Sequence, residues 1–414
     1  MVGGWEVMIR IKKEDCLLLP IALFWVIVFL PKYIQLAFFG AYYIVLESRC
    51  GRKKKSDVFF FLQMIYLMLF GISIFFNSFI GSHETVRIFA AINTWIINCI
   101  AVESYAVYKN ENVVVSNKLS EYCLINLTVL ITLNLIYLLS ASMKNVHVLG
   151  HTLCGADWIG GVYSTRFFGF LDYANMVVFA ILFFYPLALK KINKNEIAKL
   201  LLTIGSAITI YTTNSRSGFV LFLFIVVVYS FVGRKKKTFL FYKRNKKLLV
   251  ALSIIVVAII VASGAKYISG FFSKLVNMRV ASNGMRSYIY TSSITRMLWE
   301  NPFIGIGIKD MIAEYGYPYG SHSTYIGVFY KTGILGGLIY IVSIVYIGTK
   351  ILKSKSKTNI HFLYRVSIIC TLLLMCVEDI DGTNWTIFLM YFLLSQLKGE
   401  SQNEYESNHN NNLL

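Results

Sequence analysis

A few polar residues stand where hydrophobic segments begin or end, and their types point to one kind of chemistry. Arg166 lies in "STRFFGFLDYANMVVF", with Asp172 and Asn175 behind it, and Arg216 lies in "TTNSRSGFVLF". Arg286 and Arg296 lie in "NGMRSYIYTSSITRMLWENPFIGIG", and His322 opens "HSTYIGVFYKTGILGGLIYI". Guanidinium groups offer planar forks of donors that match phosphate oxygens through paired, charge-assisted hydrogen bonds. Imidazole exchanges a proton near neutral pH, so a histidine among such arginines suits general-base work on a hydroxyl. Together they fit a substrate that carries a diphosphate. Each residue also has an ordinary reading. An arginine at a membrane lip snorkels to lipid phosphate or pairs with a nearby acid, and Arg296 has Glu300 one helical turn on. A lone interfacial histidine is commonly a hydrogen-bonded structural group. Asp157, Asp310, Glu314, Glu378, Asp379 and Asp381 are competing bases, although the "EDIDG" at 378–382 reads most simply as a solvated acidic turn.

The elements that must carry these groups are helices in a bilayer. The chain has 414 residues, of which 57% are hydrophobic and only 15% charged, and its mean hydropathy is +0.62. A soluble domain of this length has no interior large enough for so much apolar surface. The 31 Phe and 27 Tyr suit lipid-facing and interfacial positions, and only five prolines interrupt the helices. A net charge of +19 raises nucleic acid as a partner, but the basic residues fall in short runs between apolar segments and read as topology signals instead. The seven cysteines form no CxxC pair and have no metal-ligand spacing, so neither a disulfide nor a metal site is expected. No cofactor is expected, and no nucleotide-binding glycine pattern supports ATP-driven transport. No cleavable signal peptide is visible in "CLLLPIALFWVIVFLP".

Apolar stretches fit spans near 16–31, 33–46, 58–80, 86–107, 121–141, 167–189, 198–213, 217–232, 248–265, 323–347, 361–380 and 384–397. The count is about twelve, or ten to twelve because several are short. With both termini cytoplasmic, most of the 40 Lys and Arg fall on the inner side, as the positive-inside rule requires. Arg166, Arg216, Arg286, Arg296 and His322 then share the outer side. The fold expected is all-α, a single polytopic membrane domain over 1–398 with long outer loops at about 142–165 and 266–322, the latter with short helices. A polar tail follows at 399–414. The stretch around Arg286 and Arg296 reads as an amphipathic helix ended by Asn301-Pro302, because the residue before proline avoids the helical region. Gly305 and Gly307 then make a turn, and "GILGG" at 333–337 lets helices approach closely.

"RMLWENPFIGIGIKD" followed by "SHSTYIGVFYKTGILGGLIYI" resembles the signature of the O-antigen ligase and Wzy-type polymerase superfamily. The upstream "TRFFGFLDYANMVVF" and "TNSRSGFV" resemble two further elements of that family, in the expected order over roughly 160–340. Ser323 stands where the family usually has Asn after the histidine. The resemblance implies a metal-independent membrane glycosyltransferase that needs no sugar nucleotide. Its donor is a glycan on undecaprenyl diphosphate, presented at the outer face of the bacterial cytoplasmic membrane. Carried over, diphosphate or glycan binding falls on Arg166, Arg216 and Arg296 with Asn175 and Ser323. Catalysis falls on Arg286 and His322. The partners implied are the lipid-linked donor and acceptor glycans and membrane lipid, with a chain-length regulator and a flippase of the same pathway and no nucleic acid. A polymerase of repeat units is the first reading and a ligase that moves the finished glycan the second. A transporter of lipid-linked oligosaccharide fits less well, because the charges inside spans are few (Asp172, Lys331 and Glu103).

Overall fold

The computed structural model describes residues 13–50, 56–109, 111, 116–139, 146–159, 162–192, 194–232, 280–312, 316–353 and 359–397. The span expected at 248–265, most of the loop expected at 266–322 before residue 280, Glu314 and the tail at 399–414 lie outside the described residues.

The chain opens with α1 (Lys13–Ala22) and α2 (Phe24–Phe29), followed by α3 (Lys32–Cys50), α4 (Val58–Ile80), α5 (Thr85–Tyr108) and α6 (Asn117–Leu139). After two hairpins come α7 (Ala174–Lys191), α8 (Glu196–Thr212), α9 (Arg216–Val232) and α10 (Val280–Glu300). A third hairpin precedes α11 (Thr324–Lys353), α12 (Asn359–Leu374) and α13 (Asn384–Ser395). Among the described residues, α4, α5, α6, α7 and α11 are long and apolar enough to cross a membrane. Their outward faces show Phe61, Met68, Phe75, Leu139 and Leu338, as lipid-facing helices require. The other expected spans that are described are helices too short or too polar to qualify on the same grounds.

The all-α expectation is corrected in one respect. Residues 147–167 form two antiparallel hairpins, β1–β2 (His147–Val148 and His151–Thr152) and β3–β4 (Cys154–Ile159 and Val162–Phe167). Only Gly160-Gly161 separates Ile159 from its partner Val162, and a two-residue glycine connection favours a hairpin. The span expected from 167 therefore begins later, at Ala174, and Asp172 precedes the helix instead of lying inside it. The short pair β5–β6 (Met311–Ile312 and Tyr317–Pro318) lies in the second long loop, and the helix before it, α10, is a single long one that ends at Glu300 as its Asn-Pro predicts.

Helix α7 is the centre of the bundle. Its side chains from Ala174 to Leu189 are buried, with α6 and α12 packed against it. On the other side α4 packs on α11, and α5 packs on α3, α4 and α13. Buried polar side chains bind these helices together. Gln63 on α4 donates to the Ser343 hydroxyl of α11 at 2.5 Å and accepts from the Tyr391 hydroxyl of α13 at 2.8 Å. Such bonds add adhesion where apolar contact with lipid is as good as apolar contact between helices.

One helix is broken at a place that matters for the site. Gly333 has φ 62° and ψ −164°, so α11 is interrupted there. The segment after α10, "NPFIGIG", runs into the break. Ile306 and Gly307 donate to the carbonyls of Tyr330 and Lys331 at 2.9 and 3.0 Å, and Ile334 donates to the carbonyl of Pro302 at 2.8 Å. Backbone groups released by the break are thus satisfied by another stretch of protein, as non-helical backbone at membrane depth demands. The contact needs glycine on both sides. A Cβ on Gly305 would lie 2.3 Å from Gly333 N, and one on Gly333 would lie 2.4 Å from the Phe303 carbonyl.

Candidate functional site

The arginines reach one another through two intermediaries. Arg166, on β4 opposite Gly155, is buried, and its Nε donates to the Thr213 carbonyl at 2.8 Å. One of its terminal nitrogens lies 3.5 Å from Asn175 Oδ1 in the first turn of α7. Asn175 in turn donates to the carboxylate of Glu378, which also feels the Arg166 charge. Glu378 is 2% exposed and accepts from Arg286 at 2.9 Å. A second nitrogen of Arg286 donates to the Val377 carbonyl at 3.1 Å, while its Nε is buried with no hydrogen-bond partner among the described residues. Burial pushes the Glu378 carboxyl above its ordinary range, and the Arg286 guanidinium draws it part of the way back.

Arg216 joins from the start of α9, close enough to Arg286 for their charges to repel. Its motif explains itself locally. Asn214 takes φ 55° after α8 ends, and asparagine tolerates that left-handed conformation. The Ser215 hydroxyl faces the Gly218 N–H at 3.4 Å in the first turn of α9. A Cβ on Gly218 would lie 2.6 Å from Val178, so glycine lets α9 sit against the central helix. Two arginines, from a hairpin and an amphipathic helix, therefore act on one carboxylate, and a third, at a helix start, lies near Arg286.

His322 stands beside this group. It has φ 63°, and its carbonyl accepts from the Tyr290 hydroxyl at 2.6 Å, one turn along α10 from Arg286. The imidazole packs on the Tyr317 ring with centroids 5.2 Å apart. Two residues on, Thr324 donates from its backbone and its hydroxyl to the Glu378 carbonyl at 3.1 and 2.9 Å. Ser323 is buried with its hydroxyl 3.4 Å from the Ile326 N–H, so it caps α11. Arg296 belongs to a separate group. It pairs with Glu300 at 2.8 Å and with Asp310 at 3.1 Å, and covers the Tyr319 ring at 4.8 Å. Asp310 is also 2.9 Å from His83. Asp172 accepts from the Trp385 indole at 3.3 Å.

The "EDIDG" turn is not the solvated one expected. Besides Glu378, Asp379 pairs with Lys309 at 2.5 Å and Asp381 pairs with the buried Lys331. Burial works to raise the Asp381 carboxyl, but Lys331 and Lys309 together hold it below the usual carboxylate range. Glu378 and Tyr290 carry no sequence signal stronger than an acidic run and an i+4 spacing from Arg286. Their partners come from distant parts of the chain.

Residues 201–341 match the family model described as O-antigen ligase. The match contains Arg216, Arg286, Arg296, His322 and Ser323, whereas Arg166, Asn175 and Glu378 lie outside it. No curated protein matches the chain. Members of this family are membrane glycosyltransferase-like enzymes acting on lipid-linked glycans. Its apolar helices and the match over residues 201–341 together support a multi-pass membrane protein, which over that segment is similar to the O-antigen ligase and Wzy-type superfamily.

Proposed function

We propose that the protein is a polysaccharide polymerase that joins undecaprenyl-diphosphate-linked oligosaccharide repeat units at the outer face of the cytoplasmic membrane. The observation that carries this reading is the partly buried Arg286, held at two nitrogens by Glu378 and Val377 while its buried Nε has no partner among the described residues. A buried unsatisfied donor is costly and marks a functional position. Arg166 and Arg216 are the further charges of the same cluster, and a diphosphate is the anion that suits three neighbouring guanidinium groups. In the reaction, His322 takes the proton of the acceptor hydroxyl as its oxygen bonds to the anomeric carbon of the donor. The bond from that carbon to the diphosphate oxygen breaks, and the arginines neutralise the charge that develops on the departing group. Asn175 and Glu378 hold Arg166 and Arg286 at the spacing this needs. Arg296 steadies α10 against the loop that follows, and Ser323 fixes the start of α11 behind His322.

A deletion strain tests the reading. Loss of a polymerase leaves one repeat unit on the acceptor and no ladder on a gel of surface polysaccharide. The family description favours one other reading, a ligase, whose loss strands long polymer on the carrier lipid; that outcome would replace the polymerase. His322→Ala slows chain extension by about 10²–10⁴-fold, the usual contribution of a general base, and Arg286→Ala abolishes the ladder. Both proteins remain at wild-type level in the membrane. Normal ladders from both variants would overturn the assigned roles.

A further inference from the structure

Asp379, Asp381 and Gly382 of the acidic turn, but not Glu378, line a cleft of about 240 Å³ together with residues of α3, α4, α5 and α11. Its charged lining is Lys32, Arg87, Lys309 and Lys331 against Asp379 and Asp381. Both carboxylates are already matched, Asp379 by Lys309 and Asp381 by Lys331. Two cations remain in excess. Lys32 donates to the Gly382 carbonyl at 2.8 Å and pairs with no carboxylate among the described residues. Arg87 pairs, among the described residues, with the exposed Glu84 at 3.9 Å, and its Nε is buried without a hydrogen-bond partner there.

The cleft also presents groups that suit hydroxyls. Asn93 is 7% exposed and donates to Asn384 at 2.9 Å, while its Oδ1 is buried with no partner among the described residues. An amide oxygen in that position accepts from a hydroxyl group. Tyr33 adds an exposed aromatic ring, and Thr94 a hydroxyl. A simple inorganic anion would use the cations and leave the amide unmatched. A ligand with one negative group and several hydroxyls uses both.

We propose that this cleft binds an acidic sugar residue of the lipid-linked glycan, with Arg87 and Lys32 on its carboxylate, phosphate or pyruvyl group and Asn93 on a neighbouring hydroxyl. The inference rests on the glycan-polymerising reading above. It gives the protein two cationic sites that meet at residues 378–382, one for the diphosphate and one for the charge on the sugar.

Composition analysis of the polysaccharide that disappears in the deletion strain is the first test. An anionic group in every repeat unit is expected. A neutral polymer overturns this inference, yet leaves the polymerase reading intact if Arg286→Ala still abolishes the ladder. The second test compares Arg87→Gln with Arg87→Lys. The glutamine variant should cut the rate of chain extension at least tenfold at wild-type protein level, and the lysine variant should restore most of it. An unshortened ladder from Arg87→Gln overturns the proposal. So does native mass spectrometry in which that variant loses a bound anionic phospholipid while chain extension is unchanged, since the cleft would then be a lipid headgroup site.

Discussion

Glu378 sets the geometry of the proposed diphosphate site, since Asn175 and Arg286 both bond to it and Arg166 reaches it through Asn175. Breaking a buried ion pair leaves an uncompensated charge and costs about 3–5 kcal/mol. Glu378→Ala should therefore lower the unfolding temperature of the purified protein markedly. Glu378→Gln keeps the shape and one acceptor oxygen but loses the charge, so it should destabilise less while reducing chain extension at least tenfold. Removing Arg286 first takes away the charge that Glu378 compensates. The double variant Arg286→Ala with Glu378→Gln is thus expected to be no less stable than Arg286→Ala alone. Additive losses in thermal unfolding would show that the two residues act independently. None of this pairing is written near residue 378. The acids there read as a solvated turn because Arg286, Lys309 and Lys331 are far away in sequence, and only the packing of α10 and α11 brings them in.

Among the elements, α11 and the segment entering its break act as one unit. Gly305, Gly307 and Gly333 all have positive φ, and a Cβ on any of them would meet backbone within 3 Å. Alanine at Gly333 must overcome both the left-handed backbone, worth roughly 1–3 kcal/mol, and the clash with Phe303. Gly348 lies in the same helix, and a Cβ added there would meet nothing within 4 Å; alanine at that position should be neutral or stabilise by about 0.5–1 kcal/mol. Thermal unfolding of Gly333→Ala and Gly348→Ala separates the two, and equal melting temperatures would refute the inserted-loop account. The limits of α4 and the end of α10 are legible in sequence, because an unbroken apolar run and an Asn-Pro pair are local signals. The break in α11 is not. Gly333 sits inside a continuous apolar stretch, and its reason is a backbone thirty residues upstream. The hairpin that carries Arg166 is hidden in the same way, since its glycine pair also reads as an ordinary loop.

Across the whole molecule, charged pairs gather at two opposite ends of the bundle. One end holds Lys32, His83, Arg87, Arg286, Asp310 and residues 378–382, joined by the contacts described above. The other holds Asp57 with Lys109 and Lys350, Asp15 with Lys118, and Glu121 with Lys191. The sequence places the first set outside and the second inside by the distribution of lysine and arginine, and the structure keeps the two sets apart. That division matters to the proposed function, in which a glycan on a carrier lipid would meet Arg286 and His322 from the side where the polymer grows. Two exposed positions report it. Glu84 stands at the α4–α5 turn beside Arg87 of the cationic cleft, and Glu196 opens α8 at the opposite end, with side chains 77% and 84% exposed. In a background where the exposed Cys376 is replaced by serine, a membrane-impermeant maleimide should label Glu84→Cys in intact cells. Glu196→Cys should react only after the membrane is permeabilised. Labelling in the reverse order would put the arginine cluster on the cytoplasmic side and remove the proposed access to the donor lipid.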